Sequence, residues 1–319
     1  MRPSYHGFPR PPHDPPLHGR PLTSALVWGL IALSMGSCGD DPMVDPTPDV
    51  RDLEGRIVFQ SRSQDASGIT IFIMNADGSG MDSLRYQSPE TDQAVVIGPR
   101  LSPDGTRIAF IHDGQVWVMN DDGSNAQQLT STVSGDPGHT ASHPSWSPDG
   151  TKIVFSAWGT NSLDLFVVDA DGTSLTQLTE TLFSSELYPE WSPNGQRIAY
   201  GTRTSQIRTI DESGSDDTPV TEEGVGQKAA WSPTGDRLAI QGDREILVVN
   251  FDGSGLTVIS NHPAWDRSPT WSPNGHWIAF SSDRANTGWA IFAMRPDGSD
   301  VIQITDAAPG SYGSPHWGR

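Results

Sequence analysis

Two histidines four residues apart, His139 and His143, are the first pair in this chain with metal-ligand spacing, since on a helix both imidazoles would face one ion. They lie in a Gly/Ser/Pro-rich stretch, residues 135–144, where a spacing of four has no such meaning. The acidic stretches Asn120-Asp121-Asp122-Gly123 and Asp169-Ala170-Asp171-Gly172 offer oxygen ligands of the kind calcium takes. They lack the EF-hand spacing and its closing Glu, and Asp-Gly is what a tight hairpin turn demands. No Gly-x-Ser-x-Gly nucleophile turn occurs. A carboxylate pair for glycoside chemistry cannot be singled out, because acids are scattered through every turn. No metal, cofactor or catalytic residue is therefore assigned.

The elements that would position any site are legible because they repeat. Trp146-Ser147-Pro148-Asp149-Gly150 leads into Ile153-Val154-Phe155, and the same order recurs from Trp191, Trp231 and Trp271. An earlier copy, Leu101-Ser102-Pro103-Asp104-Gly105, runs into Ile108-Ala109-Phe110. Ile57-Val58-Phe59 has only the second half of the unit, and Pro315-His316-Trp317 only the first. Trp-to-Trp steps of 45, 40, 40 and 46 residues are the period of propeller blades. Pro fixes φ for a type I turn and Gly takes the left-handed position after it. The strand that follows is apolar at every position, as expected where both sheet faces are covered. A second apolar strand such as Val116-Trp117-Val118-Met119 then ends in an Asp-Gly turn, followed by a short polar strand such as Gln127-Gln128-Leu129-Thr130. Six copies of each predict an all-β, six-bladed propeller. The half-units at the two ends complement each other, so residues 314–317 should supply the inner strand of the N-terminal blade and close the ring.

Residues 1–37 read as a signal peptide: a basic leader with Arg2, Arg10 and Arg20, then an apolar run over residues 22–35. Cys38 is the one cysteine, and Gly36-Ser37 before it resemble a bacterial lipoprotein processing box, which makes Cys38 the expected site of lipid attachment. Residues 38–54 read as an acidic, Pro-containing tether, and residues 55–319 as the propeller. Without residues 1–37 the chain carries 17 basic against 38 acidic side chains, a net charge of −21. Such a chain repels nucleic acid and favours cationic partners.

The repeated Trp-Ser-Pro-Asp-Gly-x-x-Ile-Ala-Phe, with Asp-Ala-Asp-Gly downstream, resembles the TolB-type propeller of bacterial envelopes. That resemblance covers residues 55–317. It implies an envelope protein that binds other proteins, such as a peptidoglycan-associated lipoprotein. The expectation is an exported monomer, held by lipid to the outer membrane and facing the periplasm or the surface. Up-and-down strands put the Ser-Pro-Asp-Gly and Asp-Gly turns on one face. The other face is irregular and holds Trp158, Tyr188, Trp265, Arg267, Arg284, Trp289 and Tyr312, with His139, His143, Glu186, Lys228, Asp266 and Asp283. Irregular loops on a rigid scaffold are where binding residues gather, and aromatics with Arg are the usual stuff of hot spots. The leading expectation is a non-catalytic binding module using the first seven of these. The alternative is a lyase or hydrolase acting on polysaccharide at the channel mouth, which a deep cluster of perturbed acids would favour. A surface spacer is the third reading.

Overall fold

The computed structural model describes residues 53–62, 69–85, 96–131, 141–182, 184–285, 288–306 and 311–319. Cys38, His139, the expected signal peptide and most of the expected tether lie outside them.

Six four-stranded antiparallel sheets follow one another along the chain. The first blade holds β1 (Arg56–Arg62), β2 (Ile69–Asn75) and β3 (Asp82–Leu84). In the second are β4 (Val96–Leu101), β5 (Arg107–His112), β6 (Gln115–Asn120) and β7 (Gln127–Gln128). The third comprises β8 (Ser142–Trp146), β9 (Lys152–Trp158), β10 (Leu163–Asp169) and β11 (Thr176–Gln177). Blade four is β12 (Glu186–Trp191), β13 (Arg197–Thr202), β14 (Ile207–Asp211) and β15 (Thr218–Pro219). Blade five is β16 (Lys228–Trp231), β17 (Arg237–Gln241), β18 (Ile246–Asn250) and β19 (Thr257–Val258). Blade six is β20 (Asp266–Trp271), β21 (Ile278–Ser282), β22 (Ala290–Met294) and β23 (Ile302–Gln303). The last strand, β24 (Ser311–Gly318), returns to pair with β1, placing Trp317 opposite Ile57, and so completes blade one.

The core is not one body but six. Each hydrophobic cluster joins two neighbouring blades: Phe155 and Trp146 meet Ala109 and Val118, while Trp277 meets Ile57 and Trp317 across the closure. This explains why the second strand of every blade is apolar on both faces.

The inner strands touch their neighbours all around the ring and are joined there at one level. The residue just before each Trp, or before Leu101, reaches the next blade. His316 Nδ1 accepts from the Leu101 N–H (3.2 Å), Ser145 Oγ from Trp191 N–H (3.2 Å), Glu190 Oε1 from Trp231 N–H (3.0 Å) and Thr270 Oγ1 from Trp317 N–H (3.2 Å). Where that residue is Arg100 or Ala230 it cannot accept. At those two junctions the indole N–H of Trp146 or Trp271 instead donates to the Arg100 or Ala230 carbonyl, both at 3.1 Å. The same two junctions carry an arginine over the indole, Arg107 on Trp146 and Arg237 on Trp271. Every one of the six junctions thus has at least one such bond.

Five inner strands share a bulge. Gly98, His143, Tyr188, Ser268 and Ser314 have φ between 51° and 65°, and each precedes a proline. Proline has no N–H for the ladder, so within a sheet it belongs at a bulge. Blade five has Lys228-Ala229 instead, and its register against β17 runs without a shift.

The Asp-Gly turns seat each blade on the one before. Gly298 has φ of 87°, and a Cβ added there would collide with the Ile259 carbonyl oxygen of blade five. Both its conformation and its neighbour therefore require glycine.

Deleting residues 310–319 should strip blade one of its inner strand and of Trp317, which is 4% exposed. Truncating one buried Trp costs roughly 3–5 kcal/mol by itself, and two strand edges open as well. A large fall in the thermal midpoint, or aggregation, is the expected outcome in a melting experiment. A truncated chain that melts like the full one would contradict the closure.

Candidate functional site

The inner strands surround the channel, and the side chains they send into it form a charged cluster. Arg100 of β4, Glu190 of β12, Lys228 of β16, His143 of β8 and His316 of β24 each come from a different blade. Blades two and five lie opposite each other in a ring of six, yet the charges of Arg100 and Lys228 act on one another. That interaction groups the two side chains in one channel cluster. Arg100 is 6% exposed and Lys228 4%. Burial pulls the Lys228 ammonium down to about 7, the Arg100 charge adds to the drop, and Glu190 opposes it. Burial raises Glu190, against the pull of Arg100 and Lys228. His143 and His316 are held well below the ordinary histidine value, first by burial and then by these two cations. Tyr188 stacks obliquely on His143 with ring centroids 4.1 Å apart.

On the irregular face the sequence-predicted residues divide. Trp265 is 47% exposed, and the guanidinium of Arg244 lies 4.8 Å from its ring centroid. Beside it Arg267 stacks on Trp289 at 3.5 Å, and Asp283 Oδ1 accepts the Trp265 N–H at 2.8 Å. These five residues make one aromatic and arginine patch across blades five and six. Trp158 is exposed at the end of β9, in blade three.

The remaining residues sit elsewhere than an open binding face. Tyr312 is 8% exposed and packs edge-on against Phe59 in the blade-one core. Arg284 donates to Asp266 Oδ2 at 2.7 Å and covers the rings of Phe280 and Phe292. Asp266 is itself buried, so this pair is internal. Glu186 is buried, accepts the Thr179 hydroxyl, and is pushed up to about 7 by burial with help from Asp164 and Asp217. Tyr188, His143 and Lys228 belong to the channel. Sequence reading passed over Arg100, Glu190, His316 and Arg244. The signal for the first three was the position before each Trp, where an otherwise regular unit changes residue type from blade to blade.

On the opposite face the turn aspartates are committed to the turns. Asp149 Oδ1 accepts from the Ser147 hydroxyl and from the Thr151 N–H and hydroxyl, which lowers its pKa. Ser-Pro-Asp-Gly and Asp-Gly turns line a common cleft there, with Asp149 and Asn194 near Asp211. Among the described residues no group of three or more His, Cys, Asp or Glu is arranged to hold a metal ion.

The repeat and the ring together match a known domain. A family model described as the TolB beta propeller domain covers residues 51–241 and 183–318. The chain belongs to this family. Over 120 residues it is 32% identical to a protein TolB homolog of Chlorobium luteolum, an alignment spanning 36% of this chain and 27% of that one. It therefore matches about a quarter of that relative's length. Among solved structures, TolB from Acinetobacter baumannii superposes with a TM-score of 0.68 at 18% identity, covering 83% of this chain and 67% of that one. A chain of a nidogen/laminin complex gives 0.65 at 11% identity, covering 82% and 98%. At such identities the structural likeness is one of fold.

Within this TolB-type propeller, Lys228 makes a pH prediction. Its folded pKa lies below the usual lysine value of about 10.4, so between about 7 and 10 the unfolded chain binds more protons than the folded one. Stability should therefore rise with pH across that window. The charges that act on Lys228 are those of Arg100, Glu190 and Arg267, and Lys228 acts in turn on His143 and His316. Urea midpoints at pH 7 and pH 9.5 in chloride buffers should increase by an amount worth a few kcal/mol. In Lys228→Met the rise should be lost; a rise of equal size in both proteins would place the titration elsewhere.

Proposed function

We propose that this TolB-type propeller is a non-catalytic binding module of a bacterial cell envelope, holding a protein partner on its irregular face. The observation that carries the reading is the patch of Trp265, Arg244, Arg267 and Trp289. It pairs exposed aromatic area with arginines already held over rings, the composition in which binding energy concentrates. Family membership supports an envelope setting, and the nidogen/laminin structure contains a propeller of like fold in a protein–protein complex. A net charge of −19 suits a partner with a basic surface, whose approach salt would slow.

The seven residues expected on the face reduce in this reading to Trp158, Trp265, Arg267 and Trp289, joined by Arg244. Tyr312 and Arg284 support the scaffold from inside. Cys38 carries the lipid that holds the module to the outer membrane. Cys38→Ala should leave the membrane fraction or keep its signal peptide, and unchanged partition with a mature N-terminus elsewhere would reject the anchor.

The two faces give the test. With a partner cross-linked from the native envelope and then purified, Trp265→Ala or Arg244→Ala should weaken binding by about 2 kcal/mol, near thirtyfold. Asp171→Lys and Asp297→Lys, on the turn face, should change only the salt dependence of association. Loss of binding in the turn variants with silent Trp265 and Arg244 variants would reverse the assignment of faces.

A further inference from the structure

The channel cluster is set apart from the partner patch by its polar balance. Arg100, Lys228 and Glu190 sense one another's charge, yet neither cation forms an ion pair with the carboxylate. One Glu190 oxygen is already occupied by the Trp231 N–H at 3.0 Å. Among the described residues Arg100 places a single hydrogen bond, from Nη1 to the Pro99 carbonyl at 3.0 Å, and its buried Nε–H meets no acceptor. Lys228, across the ring, is 4% exposed. Nδ1 of His143 is likewise buried without a partner among the described residues. Buried donors of this kind are costly unless something accepts from them.

The sequence around Lys228 shows that its place is particular. Blade five alone replaces the bulge and proline with a regular Lys228-Ala229 strand, and there the lysine stands opposite Arg100 of blade two. A chain with a net charge of −19 thus brings two cations, Arg100 and Lys228, against one carboxylate, Glu190, in this cluster. The guanidinium offers a fork that matches a planar or tetrahedral oxyanion, and the ammonium adds a point charge from the far wall.

We propose that the channel between Arg100 and Lys228 is a binding site for a compact oxyanion, a carboxylate or phosphate group. His143 lines the same site, and the Glu190 carboxylate, held on the Trp231 backbone, limits it to one anionic group. Arg267 acts on Lys228 and also stacks on Trp289 in the patch, but neither Trp265 nor Arg244 belongs to the channel cluster, so different variants test the two readings and either can fail without the other.

The chain's two lysines, Lys152 and Lys228, make a direct test possible in the unmodified protein. With lysine labelled by 13C, the two Cε signals are followed through a pH titration in sodium chloride, sodium phosphate or sodium acetate at equal ionic strength. An oxyanion beside Lys228 favours its charged form, so its midpoint should rise by at least one unit, equivalent to tenfold tighter anion binding to the ammonium. Lys152, exposed at the start of β9, should not move. A rise in phosphate alone assigns a phosphate group; a rise in acetate assigns a carboxylate. Arg100→Gln should abolish the rise where that variant folds. A Lys228 midpoint that is the same in all three salts at tens of millimolar would overturn the proposal, whatever the variant does.

Discussion

The ring depends on a hydrogen bond made sideways. Each blade is satisfied within itself by its ladders, and nothing in a ladder says which sheet stands next. That information is carried at one level of the inner strands, where a Ser, Thr, Glu or His before the Trp takes the N–H of the neighbouring strand, or an indole takes the neighbour's carbonyl. All six junctions are joined in this way, and the two without a side-chain acceptor are the two with an arginine laid over the indole. The clusters of core residues lie between blades, so the bonds and the apolar burial fix the same neighbours. Local and global preferences agree, as a cooperative fold requires.

The same positions that close the ring also line the channel. A residue there can serve the junction only if it accepts a hydrogen bond. Where it does not, as with Arg100, the side chain is free to address the axis, and the indole of the next blade takes over the join. Function can therefore enter the channel without unmaking the ring. On the rim the situation is similar. Asp266 and Arg284 settle each other inside blade six, which leaves Trp265 exposed beside Arg244 and Arg267 stacked on Trp289.

Much of this was legible in the sequence because turns and strand periods are local. Ser-Pro-Asp-Gly, Asp-Gly and Ile-Ala-Phe announce their own conformations, and half-units at the two ends announce the closure of β24 on β1. The candidate site was harder to read. Tyr312 and Trp265 both sit where an inner strand begins among polar residues, and only packing decides that one fills the blade-one core while the other is exposed. Whether Arg284 was a surface group depended on Asp266, eighteen residues away and buried. The channel cluster needed the ring itself, since Arg100 and Lys228 come from blades two and five, with two blades between them on either side. Its one local trace was the Pro two residues before the Trp. That proline marks the bulge in five blades, and in the fifth it is replaced by Ala229.

The account rests on the claim that the inner belt holds the ring as a unit. Hydrogen exchange at the belt measures this directly. The indole N–H protons of Trp146 and Trp271, and the backbone N–H of Leu101, Trp191, Trp231 and Trp317, should exchange only when the whole propeller unfolds, with an opening free energy equal to that of global unfolding. Exposed Trp158 and Trp265 should exchange far faster in the same sample. Belt protons that exchange through small local openings, junction by junction, would show that the blades are held together by something else.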